Sequence, residues 1–155
     1  MSRCPRCGVA GTKVRRITPK ALVTAAALRR LDRGDYFFCP APDCDAVYFV
    51  SDGRPVFTKH DLTVRVGLKE REDPVPICYC FGFTESHIRD DLARRGDSDI
   101  PEEIARQVRA GRCACEVRNP EGICCLRRVA RTTQLFAAAA GDPLRYRSRN
   151  LRTEP

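Results

Sequence analysis

The residues in this chain able to do chemistry are its cysteines. There are ten in 155 residues, grouped at short spacings: Cys4-Pro-Arg-Cys7-Gly8, then Cys39-Pro-Ala-Pro-Asp-Cys44, then Cys78-Tyr79-Cys80, and finally Cys113, Cys115, Cys124 and Cys125. A folded core uses cysteine singly, as a small apolar side chain interchangeable with Ala or Val, so thiols recurring at ligand spacing point to metal.

The first two groups suit a closed zinc site. Two residues separate Cys4 from Cys7, with Gly8 following where the turn needs permissive dihedrals, and four residues separate Cys39 from Cys44. Proline at both pairs favours rigid presentation of the thiolates. Four sulfurs saturate tetrahedral zinc and leave no open position, so a site of Cys4, Cys7, Cys39 and Cys44 is expected to be structural, not catalytic. The competing reading is two separate buried or redox-active pairs. Asp45 and His60 are also ligand types, but four thiols already complete the shell.

The remaining six thiols stand at the two ends of the stretch from Ile77 to Leu126. A Cys-x-Cys pair offers two thiolates to one iron from one side, and a second pair must come from elsewhere. Here it follows residues 81–112, so four thiolates could converge as a 2Fe-2S cluster requires. His87 lies in the same stretch, but a Rieske-type centre needs two histidines on one iron, and His87 reads as an exposed helix residue.

On these motifs, "CYCFGFTESHI" followed by "AGRCAC" resembles the 2Fe-2S domain of the bacterioferritin-associated ferredoxin type. That family closes its site with Cys-x-x-Cys, whereas the third residue after Cys113 is Glu116. A wider resemblance covers about residues 1 to 130: "CPRCG", "FCPAPDCDAVYF", "CYCF" and "CACEVRNPEGICCL", in that order, are similar to the N-terminal domain of CopZ-type copper chaperones. That likeness implies one zinc ion and one 2Fe-2S cluster. Cys78, Cys80 and Cys113 follow the ferredoxin spacing. Cys124 is taken as fourth ligand because the "NPEG" turn can bring the chain back, with Cys115 and Cys125 as alternates. No cysteine follows Cys125, and the Met-x-Cys-x-x-Cys loop of the full chaperones does not occur in the sequence.

The elements that must position these thiols are legible in part. Thr18 as cap, Pro19 at the first helical position, apolar residues through Leu31 and a stop at Gly34 predict a helix between the two zinc pairs. Strands are expected at Tyr36 to Phe38, Ala46 to Val50 and Leu62 to Val66, with a turn at Ser51-Asp52-Gly53-Arg54. Lys69 to Pro76 reads as a linker. Beyond it, Thr84 caps a helix ending at Gly96, Pro101 starts another stopped at Gly111, and a third runs from Ile123 to about Ala140, opened by Cys124 and Cys125. Helix N-termini would offer N–H groups to an anionic cluster. The fold class expected is α+β. Residues 1–75 form a zinc-bound ribbon-like sheet with an inserted helix, 76–140 an α-helical domain of the 2Fe-2S ferredoxin type, and 141–155 a basic, disordered tail.

Composition bounds the function. Hydrophobic content of 43% permits a core, but two small units would each be marginal without a staple. The net charge of +8 is scattered over arginine pairs without aromatic interleaving, which suits a solvated surface better than a nucleic-acid interface. The opening Met-Ser-Arg-Cys does not read as a signal peptide, and no apolar run approaches the ~18 residues of a membrane span. A cytoplasmic address, which favours metals over disulfides, is therefore expected. No nucleophile and base pair or nucleotide loop suggests an enzyme. The expected function is electron transfer or redox support in handling copper or another soft metal, with a redox or metal-transfer protein as partner. The alternatives are a copper(I) or other soft-metal carrier using Cys115 and Cys125 or a neighbouring pair, and a metal- or redox-responsive nucleic-acid-binding regulator.

Overall fold

A four-stranded antiparallel sheet occupies the first half of the computed structural model, which describes residues 2–140. Its strands, β1 (Thr12–Val14), β2 (Tyr36–Phe38), β3 (Ala46–Val50) and β4 (Val56–Thr58), lie in the order β1-β2-β3-β4, with Thr12 opposite Phe38 and Tyr36 opposite Val50. Aromatic and β-branched residues favour this pleated surface. β3 is buried along its whole length. A register shift between Ala46 and Tyr48 places the adjacent Val47 and Tyr48 in the same apolar cluster, whereas Phe49 joins Cys4, Cys39 and Ala46 in another. The sheet thus has an apolar core on one side and a cysteine-bearing cluster on the other. Gly11 lets the chain pass close to the latter, since a Cβ there would stand 2.5 Å from the Phe49 ring.

The expected helix between the zinc pairs is broken. α1 (Ile17–Leu22) begins after Arg16, so Thr18 is not its cap but a fully buried residue inside it. Val23 is extended and bridges Leu62, and the Thr24 N–H donates to the Asp61 carbonyl at 2.7 Å. Thr24 then caps α2 (Ala25–Leu28), its hydroxyl accepting from the Ala27 N–H. These tertiary partners for Val23 and Thr24 outweigh local helical preference. Leu62 to Val66 is likewise no strand: only Leu62 makes a bridge, and β4, reached directly through the turn at Gly53, takes the edge of β3. Its apolar residues Leu62 and Val66 still enter the core.

The chain divides into two compact units, the first up to Glu72 together with Ala114–Ile123, the second Asp73–Cys113 together with the residues from Cys124 on. The boundary at residue 75 therefore moves to Glu72, and the segment 114–123, expected in the second domain, belongs to the first. Two features fix it there. The short helix α5 (Cys115–Arg118) packs on α1, and the buried Tyr48 hydroxyl donates to the Pro120 carbonyl at 2.7 Å.

In the second unit β5 (Pro76–Cys78) and β6 (Phe83–Thr84) form a hairpin leading into α3 (Glu85–Arg95). Thr84 caps α3 as expected, the His87 Nδ1 accepting its backbone N–H at 3.0 Å, and Gly96 closes it in the left-handed conformation. α4 (Ile100–Arg109) and α6 (Leu126–Ala139) complete the unit, with α6 packed on α3, α4 and β5 around Ile77, Ile88, Ile104 and Val129. Both units mix helix with small antiparallel sheet. The expected disordered tail lies outside the described residues.

Candidate metal centre

Two knuckles converge on one point. In the first, the Cys4 N–H donates to the Val9 carbonyl and the Gly8 N–H to the Cys4 carbonyl, both at 2.8 Å, folding residues 4–9 into a tight loop. In the second, the Cys39 N–H is anchored on the Val47 carbonyl at 2.9 Å and the Cys44 N–H closes on the Ala41 carbonyl at 3.3 Å. β2 ends just before Cys39 and β3 starts just after Cys44, so the sheet sets the second loop's position.

The four Sγ atoms of Cys4, Cys7, Cys39 and Cys44 all lie within 4.8 Å of one another, with Cys4 and Cys44 3.9 Å apart and Cys7 and Cys39 3.6 Å apart. Four sulfurs bound to tetrahedral zinc at about 2.3 Å would stand about 3.8 Å from each other. The donor set and its spacing fit that ion. Among the described residues no disulfide joins any of the ten cysteines.

Burial grades the four thiols. Cys4 and Cys39 are buried, Cys44 is intermediate and Cys7 is exposed. Burial pushes the Cys39 thiol up to about 12, against the pull of the Ala41 N–H and the Lys69 ammonium, and burial also raises Cys44. The hydrogen bond from Val9 is the main reason that Cys7 is lowered. Burial thus favours the neutral form of Cys39 and Cys44, and a bound cation would compensate the charge of their thiolates. Asp45 is not among the four: it pairs with Arg6 at 2.9 Å, and His60 is exposed. Sequence reasoning missed Lys69. It reads as part of a charged linker, yet it is 4% exposed and its Nζ donates to the Ala41 and Cys44 carbonyls. The only hint was a lysine next to Leu68, at the edge of an apolar stretch.

The other six thiols divide differently. Cys78, Cys80, Cys113, Cys124 and Cys125 belong to the second unit and Cys115 to the first. Cys78 and Cys125 are buried in the second unit's apolar cluster, against which Cys80 packs. Cys113 is intermediate and Cys124 exposed. Among the described residues, the four-thiol group of the first unit is the one set of ligand atoms gathered within 4.8 Å.

Comparison with known proteins agrees with this geometry. Residues 1–63 match the zf_CopZ family model, described as a zinc binding domain. The chain is 37% identical over 126 residues to the "Copper chaperone CopZ" of Archaeoglobus fulgidus, a match covering 81% of this chain and 58% of that protein. It thus spans less than two thirds of that relative. The X-ray structure of the Archaeoglobus fulgidus CopZ N-terminal domain superposes with a TM-score of 0.67 at 36% identity, covering 83% of this chain and 95% of that one. With nearly all of that domain matched, and with a four-cysteine group inside the region of the zinc-binding model, this chain belongs to the family of CopZ N-terminal domains.

Proposed function

We propose that this chain is a non-enzymatic carrier of copper(I) or another soft metal ion, built on a unit stapled by zinc. The observation that carries this reading is the gathering of Cys4, Cys7, Cys39 and Cys44 within 4.8 Å, in a chain related to a protein named as a copper chaperone. In it, those four cysteines hold the zinc. The ion supplies a closed tetrahedral cross-link and no open coordination position, so its role is to fix the fold. The chain's own part is to pre-position the thiols through the Val9, Ala41 and Val47 carbonyls.

The carried ion is then left to the other thiols, a soft donor set that suits copper(I). Cys115 and Cys125 are buried, whereas Cys80 and Cys113 are partly open and Cys124 is exposed. An ion handed to a partner protein needs thiols that the partner can reach, which favours Cys113 and Cys124 as the receiving end. A reducing compartment such as the cytoplasm keeps such thiols available, and among the described residues no helix is long and apolar enough to cross a membrane. The test is anaerobic copper(I) titration against a copper(I) chelator, with zinc counted in parallel. The expected result is copper uptake beyond the retained zinc, weakened in Cys113→Ser, Cys124→Ser protein that still holds its zinc. Uptake equal to the parent's in that variant, or copper bound only as zinc leaves, would sink the carrier reading.

A second reading rests on a different observation, that Cys78, Cys80 and Cys125 share one apolar cluster in the unit that also contains Cys113 and Cys124. An all-thiol set suits a 2Fe-2S centre on Cys78 and Cys80 from the apolar side and Cys113 and Cys124 from the more open side, with Cys125 in reserve. When bound, such a centre supplies one-electron redox chemistry, and the apolar residues Ile77 and Val129 would keep water from it. Protein purified under nitrogen that is colourless and free of iron and acid-labile sulfide would eliminate this reading.

A further inference from the structure

A buried ammonium beside the four-cysteine group has no carboxylate to answer it. Lys69 closes a 3-10 turn at Gly67–Lys69 and is 4% exposed. Its Nζ donates to the Ala41 carbonyl at 2.6 Å and to the Cys44 carbonyl at 3.1 Å, and it lies 5.8 Å from the centroid of the Phe38 ring. Among the described residues no Asp or Glu forms an ion pair with it. Neighbouring acidic residues are taken elsewhere: Glu70 pairs with Arg65 and Lys59, and Asp43 with Arg71. Carbonyls and a ring face satisfy the donors of a buried cation, but they do not neutralise it, and an uncompensated buried charge is costly.

The missing negative charge is available at the metal centre. Both carbonyls that Lys69 holds belong to the loop between Cys39 and Cys44, and one of them is the carbonyl of Cys44 itself. Four thiolates around a divalent cation leave the group two negative charges in excess, and a lysine is a compact point charge suited to such a neighbour. We infer that Lys69 is a positioning and charge-compensating residue of the Cys4, Cys7, Cys39 and Cys44 centre. It clamps the second knuckle through two carbonyls and offsets the excess charge of the filled site, which slows loss of the metal. This rests on those four cysteines binding zinc.

The test compares zinc release to a chromophoric chelator from the parent, Lys69→Met, Lys69→Arg and, as a surface control, Lys20→Met. One ammonium–anion interaction of ~1.4 kcal/mol corresponds to about tenfold, so Lys69→Met is expected to release zinc about tenfold faster. Lys69→Arg should recover most of that retention, because it keeps the charge in a different shape, and Lys20→Met should match the parent. In cobalt-substituted protein the thiolate-to-cobalt charge-transfer band should shift in Lys69→Met and return toward the parent position in Lys69→Arg. Equal release from Lys69→Met and parent overturns the inference, as does Lys69→Arg behaving like Lys69→Met.

A readout on the unmodified protein covers the case in which Lys69→Met does not fold. The Lys69 ammonium should give a nitrogen-correlated proton signal that exchanges slowly with water and moves when cadmium replaces zinc. A Lys69 signal indistinguishable from those of exposed lysines overturns the proposal. A parent that binds no zinc removes the metal site and this inference with it. A parent that binds zinc and a Lys69→Met protein that holds it as firmly remove the role of Lys69 alone.

Discussion

The two units use cysteine against different backgrounds. In the first, strands of three to five residues leave little regular structure to hold residues 2–11 and 39–45, and the four thiols meet at the junction of those two segments. In the second, three helices of ten or more residues, α3, α4 and α6, pack around an isoleucine-rich core, with a capping box and Gly96 bounding α3 and Pro101 in the first turn of α4. Both units have an apolar core, and the first gathers four thiols beside its own. The same residue type is therefore gathered at one point in the first unit and spread between apolar core and surface in the second.

In zinc-loaded protein, chelation of the metal, or Cys39→Ser, should break this contrast most severely. Structural zinc is worth on the order of 10 kcal/mol. The amide resonances of residues 2–72 should collapse while those of α3 and α4 stay dispersed. Simultaneous loss of both units would show that the second is not self-supporting. Core truncation sharpens the comparison at the next level. Phe49→Ala, beneath the knuckles, should cost about 3–5 kcal/mol, and Ile104→Ala about 2–5 kcal/mol, since both side chains are fully buried. In denaturant titrations followed by zinc release, only Phe49→Ala should also weaken metal retention.

The smallest effect concerns Asp61. Burial pushes its carboxyl up, but the Thr58 N–H and Arg30 outweigh that and hold it below the usual carboxylate range. A depressed carboxylate contributes stability above its unfolded pKa of about 3.9, and this is lost as the pH falls through the lower folded value. Asp61→Asn removes the charge paired with Arg30 and should therefore cost about 0.5–1 kcal/mol at neutral pH and flatten the acid limb of the stability profile. An acid limb as steep as the parent's would show that other carboxylates control it.

Much of both regions was legible because its signals are local. The spacings of Cys4 with Cys7 and Cys39 with Cys44, the Thr84 cap, the Gly96 stop and strands β2 and β3 follow from neighbouring residues, and the structure has them where the sequence puts them. The misread elements depend on distant partners. Val23 leaves the helical path for Leu62, and Leu62 to Val66 serves the core without pairing as a strand. Neither bond can be read from a window of a few residues.

Sequence alone determined which atoms could bind metal, since thiol chemistry and knuckle spacing are properties of short segments. Tertiary structure decided which thiols meet. It brought Cys4 and Cys7 to Cys39 and Cys44 across the sheet, assigned Ala114–Ile123 and its Cys115 to the first unit, and buried Lys69 against the Cys44 loop. The physical reason is that convergence depends on long-range burial and backbone hydrogen bonding, whereas ligand identity does not.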